Sequence, residues 1–153
     1  MKVAIIADTH DNLANIKRIV KWLNKEKINL ILHCGDINSP DTIEEIKNNF
    51  NGEAKFVCGN ADIDLINIPE SDEIELNNKK IAFTHFSDKA HSLAESGKYN
   101  LVFYGHTHRP WEEKVGNCRL VNPGEAAGQY NKATFAVYDA VSDKLELKIL
   151  EKL

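Results

Sequence analysis

The sequence predicts an α/β (α+β) chain in which two β-sheets pack together with helices on the outside. Up to residue 69, short apolar β-like runs alternate with helical patterns; beyond Pro69 the chain becomes strand-rich and carries hairpin turn signals. A third observation is chemical: five of the apolar runs end in Asp, Asn or His.

The elements follow in order. Residues 3–7 read as a buried strand. Over 12–25, Leu13, Ile16, Ile19, Val20 and Leu23 recur at helical spacing behind Asp11 or Asn12 as N-cap. Residues 30–33 form a second strand. Ser39-Pro40-Asp41 opens a helix reaching about residue 49: Ser39 caps it, Pro40 suits its first position, and Asp41, Glu44 and Glu45 favour its positive end. A third strand covers 55–57. Strands at 73–76 and 80–84 flank Asn77-Asn78, a two-residue hairpin signal. A short helix spans 88–96 with Gly97 as C-cap. Residues 101–104, 112–115, 119–121, 134–138 and 144–150 complete the strands, with a turn around Gly116-Asn117 and another turn signal at Asn122-Pro123-Gly124. With no long linker, internal repeat or low-complexity stretch, residues 1–153 are expected to form one domain.

Composition narrows the setting. A chain of 153 residues, 42% hydrophobic, can bury roughly 70% of its unfolded surface without staples. Cys34, Cys58 and Cys118 cannot all pair and show no Cys-x-x-Cys spacing, which argues against a disulfide framework and a zinc ribbon and for a reducing, cytoplasmic setting. The first apolar run, Val3 to Ala7, is too short for a signal peptide, and nothing approaches the roughly 18 apolar residues of a membrane span. A net charge of −4 with mixed signs argues against an extended polybasic nucleic-acid face, and none is evident. A homo-oligomer is left open.

The ends of the apolar runs carry the chemistry. They lead into Asp8-Thr9-His10, Gly35-Asp36, Gly59-Asn60, His85, and Gly105-His106-Thr107-His108. Open α/β sheets bind ligands at the carboxyl ends of their strands, so these ends are expected to converge. Gly35, Gly59 and Gly105 are read as permitting a sharp change of direction where a strand stops. Taken singly, Asp-x-His commonly caps a helix, Gly-Asp and Gly-Asn are common turns, and a lone His is commonly a buried hydrogen-bonder. Spacings of 28, 24, 25 and 21 residues from Asp8 through Asp36, Asn60 and His85 to His106 make the ordered set distinctive. Two carboxylates, four imidazoles and one carboxamide, without a thiolate, suit Mn²⁺, Fe, Ni²⁺ or Zn²⁺, and are enough for two ions bridged by a carboxylate.

In this order the motifs resemble the signature of the calcineurin-like metallophosphoesterases, and the short chain resembles their small archaeal and bacterial phosphodiesterase branch. The resemblance covers residues 8–108. It implies a β-sandwich flanked by helices, a four-layer architecture. It also implies one metal on Asp8, His10, Asp36 and His108 and another on Asp36, Asn60, His85 and His106, with Asp36 bridging. Asp36, Asn60 and His106 are then the candidate catalytic residues and Arg109 and Phe86 the candidate substrate contacts. The implied cofactors are two divalent transition-metal ions, with Mn²⁺ or Ni²⁺ favoured. A metal-bridging hydroxide would then hydrolyse a small phosphate ester, a diester by family likeness and a monoester as the alternative.

The sequence departs from the family pattern in two places. Many members follow Gly-Asn with His, where this chain has Ala61, which cannot protonate a leaving group; the lone metal His is often followed by Gly, where this chain has Phe86. Asp62 keeps an acidic position and is read as a structural hydrogen-bonder; Glu125 stands where a small hydroxyl residue is often found. Lys89 is a further candidate phosphate contact and Trp111 a candidate border of the substrate. Trp22 is expected to pack, His33 to be buried and hydrogen-bonded, and His91 to be exposed. Cys34 and Cys58 are expected to support the site from inside the sheet. Two other readings remain: a catalytically idle interaction scaffold of the same fold, as in the retromer scaffold subunit, and a di-iron redox protein, which would ordinarily use more helical carboxylates.

Overall fold

The computed structural model describes residues 1–153. The first half builds β1 (Lys2–Ile6), α1 (Leu13–Lys25), β2 (Leu30–His33), α2 (Pro40–Asn49) and β3 (Glu53–Phe56). Then come β4 (Ser71–Leu76), β5 (Lys79–Thr84), α3 (Ser87–Glu95), β6 (Leu101–Phe103), β7 (Pro110–Val115), β8 (Cys118–Pro123), β9 (Thr134–Asp139) and β10 (Lys144–Ile149), before a 3₁₀ turn at Leu150–Lys152. One sheet runs β10-β9-β1-β2-β3, the other β4-β5-β6-β8-β7. β1, β2 and β3 are parallel, as are β5, β6 and β8; the remaining pairings are antiparallel.

The apolar pattern explains the layering. Along β1, Val3 and Ile5 enter a core shared with Phe83, Leu101, Phe103 and Val121 of the opposite sheet, while Ala4 and Ile6 join Ile16, Ile19, Val20 and Leu23 of α1 and Ile46 of α2. A strand buried on both faces has no polar side to show, hence its continuous apolar run. On the other flank, Ala90 and Ala94 of α3 pack on Ala82, Val102 and Leu120. The result is a four-layer α/β/β/α sandwich, the architecture expected.

Local signals act as anticipated. Asn12 caps α1 by accepting the Asn15 amide at 3.1 Å, and Ser39 caps α2 ahead of Pro40. Asn77 and Asn78 both adopt positive φ, 49° and 60°, as a type I′ hairpin requires. Trp22 packs edge-on against Phe135 at 5.5 Å.

Most boundaries differ from the expected ones by a residue or two, and three of the differences are instructive. β3 occupies Glu53–Phe56 rather than 55–57 because its parallel register with β2 starts at Glu53 opposite Leu30. Residue 150 leaves β10 for the 3₁₀ turn. Asn122 and Pro123 finish β8 instead of turning, and the left-handed residue is Gly124, at φ +79°. Pairing of β8 with β6 stops at Val121, so Pro123 lies past that neighbour and its missing N–H interrupts no bond to it.

Candidate metal centre

All five strand-end motifs meet at one end of the sandwich. Asp8, His10, Asp36 and His108 each offer a ligand atom within 4.8 Å of the others. Beside them, Asn60 Oδ1 lies 3.1 Å from His85 Nε2 and 2.9 Å from His106 Nδ1, and the two imidazole nitrogens are 3.2 Å apart. Asp36 stands between the groups: Oδ2 is 3.6 Å from His10 Nε2, and Oδ1 is 3.4 Å from His85 Nε2. Asp8, Asp36 and His85 are buried; Asn60 and His106 form the exposed rim.

The chain holds these residues in unusual backbone states. Asp8, His10, Asp36, His106 and His108 all have φ between +41° and +70°. Left-handed conformations of non-glycine residues cost of order 1–3 kcal/mol each and persist where surrounding structure imposes them. Here the loops impose them on one another. Asp8 N donates to Gly35 O, Thr9 N and His10 N donate to Asp36 O, Ala127 N donates to Asp8 O, and His106 N donates to the Asp8 carboxylate. Asp62 accepts the amides of Ile37, Asn38 and Gly59, each at 2.7 Å, which ties the loop after β2 to the loop after β3 and makes it the structural hydrogen-bonder expected.

The role assigned to the glycines holds only for Gly35, whose φ is +90°. Gly59 and Gly105 do not take positive φ; they are required by crowding. A Cβ on Gly59 would come within 2.3 Å of Asp36 Oδ1, and one on Gly105 within 2.8 Å of Asp8 Oδ2.

Three histidines are oriented by oxygen acceptors. His10 Nδ1 faces Asn38 Oδ1 at 3.1 Å, His85 Nδ1 faces the Cys34 carbonyl at 2.8 Å, and His108 Nδ1 faces Glu125 Oε2 at 3.0 Å. Donation from Nδ1 leaves each Nε2 free to ligate. Asn38 and Glu125 act through another residue, and their contacts span 28 and 17 positions; no spacing rule anticipates either. Cys34 supports the site through its carbonyl rather than its thiol.

The donor set fits a cation. His10 Nε2 is buried with no hydrogen-bond partner. His108 Nε2, turned away from Glu125, faces Asp8 Oδ1 at 3.3 Å. Burial, reinforced by the charge of Asp36, pushes the Asp8 carboxyl up to about 8. Burial also pulls His85 below its usual value despite the opposing pull of Asp36, which keeps the imidazole neutral. A buried cluster of oxygen and nitrogen lone pairs that repel one another is relieved by divalent charge.

The remaining candidates lie around this centre or apart from it. Phe86 is half-buried, edge-on to His85 at 5.1 Å and 5.5 Å from His106. Arg109 is exposed and forms no ion pair, whereas Lys89 pairs with Glu70 at 3.0 Å. Trp111, 58% exposed, lines a separate groove with Val121, Leu145 and Leu147. His33 is fully buried. His91, expected to be exposed, is half-buried because it bridges the Ser87 carbonyl and Glu113.

Comparisons with known proteins agree with this geometry. The family model for the calcineurin-like phosphoesterase superfamily domain matches residues 1–143. A phosphodiesterase of Methanocaldococcus jannaschii is 32% identical over 84% of this chain and 86% of its own. A probable metallophosphoesterase of the same organism is 26% identical over 98% of this chain and 81% of its own. A solved structure, described as a novel archaeal phosphodiesterase, superposes with TM-score 0.88 at 28% identity, covering 97% of this chain and 99% of that one. Vacuolar protein sorting 29 from Cryptosporidium parvum shares the fold at TM-score 0.73 and 20% identity, over 97% and 95% of the two chains. No helix is long and apolar enough to cross a membrane. A family match spanning nearly the whole chain, over a cluster of lone pairs suited to divalent metal, means that the chain belongs to the calcineurin-like phosphoesterase superfamily of hydrolases.

Proposed function

We propose that residues 1–153 act as one metal-dependent phosphodiesterase domain that hydrolyses small phosphate esters with two divalent ions, Mn²⁺ or Ni²⁺ being favoured. One ion would rest on Asp8, His10, Asp36 and His108, the other on Asp36, Asn60, His85 and His106. The supporting observation is Asp36, whose two oxygens face different histidines, His10 at 3.6 Å and His85 at 3.4 Å. When bound, such ions acidify a water for attack on phosphorus and neutralise the phosphoryl oxygens. Phosphodiester preference draws on the relative so named. The unpaired thiols of Cys34, Cys58 and Cys118 accord with a cytoplasmic setting.

The chain's own residues position and polarise. Asp8 and Asp36 provide the negative charge that retains the ions; Asn60 contributes a neutral carbonyl oxygen at the rim. The Ala61 amide donates to Asp36 Oδ1 at 2.9 Å, restraining the bridging carboxylate. Exposed His106 and Asn60 open the site to the substrate, with Phe86 as an apolar wall and the free guanidinium of Arg109 as the charged candidate at the edge.

The test is metal content, followed by hydrolysis of an aryl phosphodiester with Mn²⁺ or Ni²⁺ and with a chelator. Metal-dependent turnover lost in Asp36→Ala together with bound metal is expected. An Asp36→Ala protein that keeps both metals and full activity refutes the bridging assignment; retained metal without hydrolysis of any phosphate ester refutes the enzyme reading in favour of a scaffold.

A further inference from the structure

Glu125 is fully buried, and its carboxylate meets four polar groups. Oε2 accepts the Gln129 amide at 3.0 Å and lies 3.0 Å from His108 Nδ1. Oε1 accepts the Tyr130 amide at 2.7 Å and the Asn131 amide. Three backbone N–H groups already donate to the two oxygens, so the group acts as an acceptor on both; His108 donates Nδ1–H to Oε2 and presents Nε2 toward Asp8.

The same bonds shape the surface outside the metal centre. With amides 129–131 gathered on Glu125, Asn131 Nδ2 donates to the His108 carbonyl at 3.1 Å and the Tyr130 ring sits edge-on to the His108 ring at 5.2 Å. His10 stacks against His108 at 5.2 Å and 26°. Tyr130 is nonetheless 79% exposed. An aromatic side chain held by its backbone beside a ligand and left open to solvent is a surface prepared to receive an apolar or aromatic group.

We propose that Glu125 is a positioning residue with two effects: it fixes His108 in the tautomer that offers Nε2 to a divalent ion, and it holds Tyr130 beside that site as a wall for an aromatic group on the phosphate ester. The proposal rests on the metal reading of the site and adds a substrate class to it, phosphate esters with an aryl or nucleobase substituent.

Glu125→Gln tests the first effect at nearly constant volume. If the carboxamide oxygen of the variant keeps the Tyr130 and Asn131 amides, its NH₂ group takes the place of Oε2, loses the Gln129 amide and faces His108 Nδ1 as a donor, which reverses the tautomer. Nitrogen-15 spectra of the chelator-treated protein are expected to show Nδ1–H for His108 in the wild type and Nε2–H in Glu125→Gln. Calorimetric titration with Zn²⁺ is expected to show one of two sites weakened by about 10- to 100-fold, the range for losing such a partner, with the other unchanged. An Nε2–H tautomer in the wild type overturns the proposal even if the variant fails to fold; so does a folded Glu125→Gln that keeps both tautomer and affinity. Tyr130→Ala tests the second effect without turnover, by binding of phenylphosphonate and methylphosphonate to the Zn²⁺-loaded protein. A several-fold loss for the phenyl compound alone is expected; equal losses, or none, overturn the wall. A wild-type protein that meets these outcomes yet hydrolyses no ester refutes the catalytic reading and leaves this one standing.

Discussion

Asp36 Oδ1 occupies space that any side chain at position 59 would need: a Cβ on Gly59 would lie 2.3 Å from it, and 2.7 Å from the Asp36 amide nitrogen. Two loops from neighbouring parallel strands therefore touch backbone against carboxylate. Gly59→Ala must displace Asp36 or the loop itself, at a cost of about 1–3 kcal/mol for overpacking. A lower melting temperature and loss of bound metal are expected. Gly97→Ala is the control: φ is +72° there but nothing lies within 4 Å, so it costs about 1 kcal/mol of backbone strain and leaves metal content intact. Equal metal content in the two variants would contradict the crowding explanation.

Proton release should accompany metal uptake. With its carboxyl pushed up to about 8 from an ordinary 3.8, Asp8 is mostly protonated at pH 7 until a cation displaces the proton. Calorimetric titration with Mn²⁺ in buffers of different ionisation enthalpy should report about one proton released at pH 7 and much less above pH 9. For stability the sign is definite. Between pH 4 and 8 the folded chelated chain binds this proton more tightly than the unfolded chain. Its stability therefore falls as pH rises, by up to about 1.4 kcal/mol per unit. The cleanest window is pH 6.5–8, where denaturant unfolding with chelator should show the decline and saturating Mn²⁺ should abolish it.

His33 predicts the opposite slope at lower pH. Its Nδ1 accepts the Gly35 amide at 3.2 Å, so Nε2–H donates to Thr9 Oγ1 at 3.0 Å. Burial pushes its pKa down to about 3 from 6.5. The stability it contributes is complete above pH 6.5 and is lost as pH falls toward 3, because only the unfolded chain takes the proton. Thr9→Val strands a buried donor and should cost about 1–3 kcal/mol at pH 7, measured by urea unfolding. A neutral outcome would show that the Thr9–His33 bond does not brace the loop carrying Asp8 and His10.

Leaving-group dependence follows from Ala61. General acid catalysis contributes typically 100-fold to 10,000-fold, and a methyl side chain supplies none. Aryl phosphodiesters should turn over faster than simple alkyl phosphates by a factor in that range, and Ala61→His should narrow the gap by accelerating the alkyl substrates. Equal wild-type rates across leaving groups, with the chemical step rate-limiting, would contradict this.

The convergence of the site was legible because strand ends in a sheet of this class open at one edge; Asp8, His10, Asp36, Asn60, His85, His106 and His108 are brought together there, as the order of their motifs suggested. Capping by Asn12 and Ser39 and the Asn77-Asn78 turn were legible because each signal is local. The glycines were read as bends, yet two of the three are voids left for carboxylates 23 and 97 positions away, a three-dimensional fact with no local signature. Glu125 stood out only as a departure from the family pattern and Asn38 not at all, and the contacts of both escaped for the same reason: each meets its histidine only once the strands are paired. Pro123 misled because proline signals a turn unless the neighbouring strand has already ended, as β6 has.

The five left-handed residues of the candidate metal centre set local strain against the supply of ligand atoms. At each, glycine would relax the backbone, and at Asp8 it would also remove a carboxylate that burial disfavours. Supplying ligand atoms and stabilising the fold therefore pull against each other at the same positions. Glycine there should raise the melting temperature while it removes lone pairs from the cluster, and the cost of the arrangement is concentrated in the loops, with the sandwich untouched.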